Sequence, residues 1–105
     1  MATCDVCGRK MALMGKGAAK NRARVAGLVD ALRHLQTTVL TEAQGEENVD
    51  ADEIARFQSN SDRLISDGEH YADLLHKVSH DSGYPGVDYG AIKRWMDTSV
   101  SVLQM

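Results

Sequence analysis

The feature that most constrains how this chain folds is the spacing of apolar residues in two long segments. Within residues 18–43 they recur at alternating steps of three and four, and the same spacing runs through residues 51–81. This spacing aligns the apolar side chains on one side of an α-helix. Because only a short polar loop, residues 44–49, separates the segments, the two helices must form an antiparallel hairpin. The positions that set the spacing are Val25, Leu28, Leu32, Leu35 and Val39, then Ile54, Phe57, Ser61, Leu64, Gly68, Tyr71, Leu75 and Val78.

Aspartates mark the predicted starts of two helices. Asp50 precedes the second apolar segment, and Asp88 precedes a shorter segment whose predicted apolar side is Ile92, Trp95, Met96, Ser99 and Leu103. A carboxylate at such a position accepts hydrogen bonds from the unpaired N–H groups of the first helical turn. We therefore predict a shorter C-terminal helix over about residues 88–104.

Composition agrees with an all-α fold. The 105 residues include five aromatic residues and one proline, which are few for a β-sandwich or barrel. Alanine, leucine and charged residues favour helices instead. We predict one domain, residues 1–105, in which residues 1–17 form a Cys-x-x-Cys knuckle and linker. Residues 18–105 then form the helical bundle, a long antiparallel hairpin plus the C-terminal helix.

The sequence lacks the patterns expected of membrane or exported proteins. We find no run of about 18 apolar residues that could span a bilayer. Asp5, Arg9 and Lys10 interrupt any apolar segment near the N-terminus. We therefore expect a cytoplasmic protein with no membrane contact, in which cysteines stay reduced.

Two small residues occupy positions where the apolar spacing calls for large ones. With the hairpin loop centred near residue 47, Gly68 is predicted to lie level with Gly27. Two opposed glycines would allow close approach of the helices or leave a slot, for which Trp95 is the candidate filler. The alternative is a weakly optimised helix, since each glycine costs about 1 kcal/mol in helix propensity.

The C-terminal helix is too short to cover the whole hairpin. We expect Leu35, Val39, Ile54 and Phe57 to form an apolar surface that contacts a partner protein or a second copy of the chain. A homodimer that builds a larger bundle is the favoured solution. In the alternative, the C-terminal helix or the N-terminal segment folds over these residues.

Charge is divided unevenly along the chain. Residues 1–33 contain seven Lys/Arg and two Asp, whereas residues 34–105 contain five Lys/Arg and thirteen Asp/Glu. The basic segment is a candidate contact for nucleic acid or for an acidic partner, although no interleaved aromatic residues are available to stack on bases. In the alternative, a basic helix packs beside an acidic one. The candidate contacts are Arg9, Lys10, Lys16, Lys20, Arg22 and Arg24.

A zinc site is predicted from two separate pairs of ligands. The turn Cys4-x-x-Cys7 supplies two thiolates, which is half of a tetrahedral site. His76 and His80 are spaced i, i+4, which places both imidazoles on one side of a helix. The predicted hairpin brings the N-terminus and the end of the second helix together, so these four residues can hold one structural zinc ion.

Other roles remain open for these residues. Two histidines near a helix C-terminus also interact favourably with the helix dipole without a metal, and the cysteines could form a redox dithiol. Glu69 and Asp73 share a side of the helix with the histidines, and we predict that they orient the imidazoles. They are also expected to pair with cations at the same level of the first helix, namely Lys20, Arg22 and Arg24.

These features predict a small non-enzymatic regulatory protein, an adaptor or inhibitor that acts by protein–protein contact. The alternative is a zinc-containing regulator that binds nucleic acid through the basic segment. A metal sensor or metal-dependent hydrolase is a third possibility. It requires an open coordination position, which four protein ligands would close, and no catalytic residues are assigned.

Overall fold

The computed structural model describes residues 15–80 and 87–104. These residues contain three α-helices. They are α1, Gly15–Gln44, α2, Ala51–His80, and α3, Tyr89–Leu103. The arms α1 and α2 contain 30 residues each and α3 contains 15, which confirms the predicted all-α hairpin and shorter C-terminal helix. None of the helices in the described part of the chain has the length and hydropathy that crossing a bilayer requires. The predicted cysteine knuckle lies outside the described residues.

Both predicted capping aspartates begin their helices. The backbone N–H of Asp52 donates to Asp50 Oδ1 at 2.9 Å, and that of Ala91 donates to Asp88 Oδ1 at 3.0 Å. Each bond satisfies one of the N–H groups that a helix N-terminus leaves without an intrahelical acceptor. The starts of α2 and α3 are therefore fixed by residues local in sequence.

The main core lies between α3 and one half of the hairpin. We call this the proximal half, which contains the N-terminal half of α1 and the C-terminal half of α2; the distal half adjoins the loop between them. Burial of each large apolar side chain contributes about 1.5–3 kcal/mol to stability. The buried cluster comprises Val25, Val29, Leu32, Ile65, Leu75, Ile92 and Trp95.

The Trp95 indole lies against Gly68, as predicted from the missing side chain there. A β-carbon added to Gly68 would lie 2.5 Å from Val29 Cγ2 and 2.8 Å from Trp95 Cη2, so its neighbours would have to move. The indole N–H donates to the Leu64 carbonyl oxygen at 2.9 Å, which satisfies this donor inside the core. The predicted opposition of Gly68 and Gly27 is wrong, because Val29 faces Gly68 and Gly27 is exposed.

A polar contact joins the two arms of the hairpin. Gln36 Nε2 donates to Ser61 Oγ at 2.8 Å and to Asp62 Oδ1 at 2.7 Å. Ser61 is buried, and its hydroxyl donates to the Phe57 carbonyl oxygen at 2.7 Å. Ser61 thus interrupts the apolar spacing of α2 because it is the partner of a glutamine on α1.

We expect Gly68→Ala to lower the free energy of unfolding by about 1–2 kcal/mol, because overpacking costs more than the gain in helix propensity. The matched control is Gly17→Ala, on α1, whose added methyl group has no atom within 4 Å. This control should raise the free energy of unfolding by about 0.5–1 kcal/mol. Urea unfolding followed by Trp95 fluorescence measures both changes. Stabilisation by both substitutions would contradict the packing described here.

Two buried serines should respond oppositely to removal of the hydroxyl. Ser61→Ala should destabilise the protein by about 1 kcal/mol, because it leaves Gln36 with one partner fewer. Ser99 is fully buried, and its Oγ has no hydrogen-bond partner among the described residues. Ser99→Ala should therefore be neutral or stabilise by up to about 1 kcal/mol. Thermal unfolding of the two variants side by side tests this, and equal destabilisation would refute it.

Candidate functional site

His76 and His80 lie one turn apart at the C-terminal end of α2. Their ring centroids are 4.9 Å apart and the rings are almost perpendicular, at 89°. His76 is half-buried; its Nε2 atom is out of contact with solvent and has no hydrogen-bond partner in the described part of the chain. Buried polar atoms normally have a partner, so this nitrogen is a candidate metal ligand. The structure confirms that the two imidazoles are neighbours, and metal binding by them stays a prediction.

The other predicted zinc ligands, Cys4 and Cys7, lie outside the described residues. The chain enters α1 at Gly15, at the same end of the hairpin as the two histidines, because the arms are antiparallel and equal in length. Within residues 15–80 and 87–104, no group of three or more His, Cys, Asp or Glu is arranged to hold a metal ion. The two histidines therefore need further ligands from elsewhere to form a tetrahedral site.

The two carboxylates predicted to support the histidines have other partners. Glu69 forms an ion pair with Arg33 on α1, and Asp73 forms one with Lys77 at 3.1 Å within α2. The predicted ion pairs with Lys20, Arg22 and Arg24 are wrong, because the register of the hairpin brings the stretch around Arg33 beside Glu69. The side chains of both ion pairs are about half exposed, so each ion pair contributes little to stability. Their role in orienting the imidazoles stays a prediction.

The basic residues of α1 do not share one side of the helix. Lys20 and Arg24 are exposed and are spaced i, i+4, so they lie on the same side. Arg22 is two residues from each and points the opposite way, half-buried. Phosphate contact by this segment stays a prediction. The other predicted contacts, whose side chains lie outside the described residues, are Arg9, Lys10 and Lys16.

Four apolar residues predicted to contact a partner form what we call the distal surface: Leu35, Val39, Ile54 and Phe57. All four side chains are half-buried. None of them belongs to the main core cluster or to the apolar residues packed against it. Ile54 also lines a groove at the loop end of the hairpin. The main core therefore leaves the distal surface partly open to solvent.

A second groove, between α1 and α3, was not identified from the sequence. Leu28, Ile92 and Met96 contribute apolar side chains to it, and Arg24 and Lys93 are its cationic residues. The sequence signal that could have revealed it is a second run of three- and four-residue steps on α3, through Tyr89, Lys93, Met96 and Val100. The predicted apolar side of α3 includes Met96 but not Tyr89, Lys93 or Val100.

Comparison of the chain with protein-family models, with curated proteins and with solved structures gives no match in any of the three.

Proposed function

We propose that the protein is a small non-enzymatic adaptor or inhibitor that acts by contacting another protein through the distal surface. The observation that carries this proposal is the partial exposure of Leu35, Val39, Ile54 and Phe57 outside the main core. When a partner removes apolar side chains grouped in this way from water, the free energy of the system falls. Half-burial also holds them in place before binding, which lowers the entropic cost of association.

The residues around the distal surface favour a protein partner over a nucleic acid there. The loop and the first turn of α2 are strongly acidic and exposed, which gives the apolar surface an anionic rim. An apolar centre with a polar rim is the usual arrangement of protein–protein interfaces. An anionic rim repels phosphate and attracts a basic partner. The rim residues are Glu46, Glu47, Asp50, Asp52 and Glu53.

We also propose that a structural zinc ion held by Cys4, Cys7, His76 and His80 joins the N-terminal segment to the end of α2. The buried and unpartnered Nε2 atom of His76 supports this proposal, because zinc coordination would satisfy it. Four protein ligands leave no coordination position for water or substrate, so such a site supports structure rather than catalysis. Because such a zinc site has no open position for substrate, the activity we propose is binding and not catalysis.

The distal surface is tested by replacing Phe57 with the photo-cross-linking residue benzoylphenylalanine in the cells that produce the protein. We expect irradiation to yield a covalent adduct with another polypeptide. The matched control is the same replacement at Ser66, an exposed position on α2 outside the distal surface, which should give none. Absence of an adduct from position 57, or equal adducts from both positions, would remove this surface as a binding site.

The zinc site is tested by elemental analysis of the purified protein, which should contain one zinc ion per chain. The double variants Cys4→Ser/Cys7→Ser and His76→Ala/His80→Ala should each lose the metal. Each should also lower the melting temperature by at least about 5 °C, because the proposed zinc ion cross-links the N-terminal segment to the end of α2.

The matched control for the zinc experiment is His34→Ala/His70→Ala, which removes two exposed histidines away from the α2 C-terminus. This variant should retain zinc and full thermal stability. Zinc retained after loss of His76 and His80 would show that these histidines are not ligands.

A further inference from the structure

The outer side of α3 carries a stripe of residues that the fold buries only in part, with Met96 packed partly against the core cluster. Tyr89 and Val100 are the exposed large apolar side chains of the described residues, at 54% and 41% exposure. With Lys93 and Met96 they are spaced at steps of four, three and four, the spacing of a helix-pairing seam. We call these four residues the outer stripe. Trp95 and Ser99, on the other side of α3, are buried in the core.

The outer stripe forms one wall of the groove between α1 and α3, whose volume is about 710 Å³. The other wall is α1, where Leu28 contributes an apolar side chain and Asn21 and Arg24 contribute polar ones. Gly27 also lines the groove, and a β-carbon there would meet nothing within 4 Å. This wall therefore leaves room for a helix to approach the α1 backbone closely, as in helix-in-groove binding.

The charges of α3 indicate which helix fits. Lys93 and Asp97 both line the groove, and neither forms an ion pair within the described residues. They lie at equal distances on either side of Trp95 in the sequence, and Tyr89 and Val100 are placed almost symmetrically about the same point. A sequence with this symmetry is complementary to itself when two copies run antiparallel about a two-fold axis.

We propose that the occupant of this groove is a second copy of the chain, which docks its own α3 antiparallel to the first. Lys93 of each copy then lies next to Asp97 of the other, which gives two intermolecular ion pairs. Tyr89 of each copy packs against Val100 of the other, and the Met96 side chains lie near the axis. The interface removes both exposed apolar side chains from water.

This dimer uses a surface different from the distal surface. Antiparallel pairing of α3 leaves the distal surface of each copy open, so the dimer presents two such surfaces to partner proteins. Two linked binding surfaces increase the avidity for a partner that carries repeated sites. The dimer itself does not depend on the proposed function, and either can fail without the other.

The dimer is tested first by sedimentation equilibrium of the full chain over a range of concentrations. The mass should rise to twice the 11.5 kDa of one chain. Val100→Asp, at an exposed position, should leave the fold unchanged by circular dichroism and weaken the dimer at least about tenfold. Phe57→Ser, on the distal surface, should leave the mass of the dimer unchanged.

The pairing of Lys93 with Asp97 is tested by a mixing experiment with two variants. Lys93→Asp alone and Asp97→Lys alone each place like charges together at both ends of the symmetric interface, so each variant should sediment as a monomer at concentrations where the native chain is a dimer. In an equimolar mixture every pair becomes attractive again. A mixed dimer should form, which native mass spectrometry identifies by its mass.

Recovery in the mixture cannot come from a change in the stability of either chain, because neither sequence changes on mixing. A native chain that stays monomeric at all concentrations would overturn the inference. So would a dimer that resists Val100→Asp but dissociates on Phe57→Ser, because the distal surface would then be the dimer interface. Failure of the mixture to form a dimer would overturn the antiparallel register, and with it the assignment of a second copy to this groove.

Discussion

The contact between the Trp95 indole and the α2 backbone at Gly68 determines how the third helix lies on the hairpin. Absence of a side chain at Gly68 lets the ring approach the helix surface, and Val29 of α1 approaches the same position. The hydrogen bond from the indole N–H to the Leu64 carbonyl oxygen also fixes the position of the ring along α2. All three helices therefore meet at Gly68, and Ile92 buries a second α3 side chain in the same core cluster.

The position of α3 divides the molecule into regions with different surfaces. Over the proximal half the apolar sides of three helices meet and exclude water, so stability is concentrated there. Over the distal half two helices alone cannot bury Leu35, Val39, Ile54 and Phe57 completely, and these side chains stay partly exposed. The groove between α1 and α3 arises in the same way, because a third helix leaves one side of a bundle without a fourth. The binding surfaces are thus consequences of an incomplete bundle.

Much of the fold could be predicted because it depends on local rules. The apolar spacing gave the three helices, Asp50 and Asp88 gave two of their starts, and the small residue at position 68 gave the contact with Trp95. The candidate site was predicted less completely. Juxtaposition of His76 and His80 follows from helix geometry, whereas the partners of Glu69 and Asp73 depend on which part of α1 lies beside them.

The sequence by itself determined which side of each helix is apolar, where the chain reverses and that α1 and α2 are antiparallel. Only the tertiary structure decided the axial register, which places Val29 rather than Gly27 opposite Gly68 and pairs Gln36 with Ser61. The physical reason is that periodicity fixes the direction of a side chain around its helix axis. It does not fix the offset between two helices, because sliding one arm by a full turn keeps the same side buried and changes every partner across the interface.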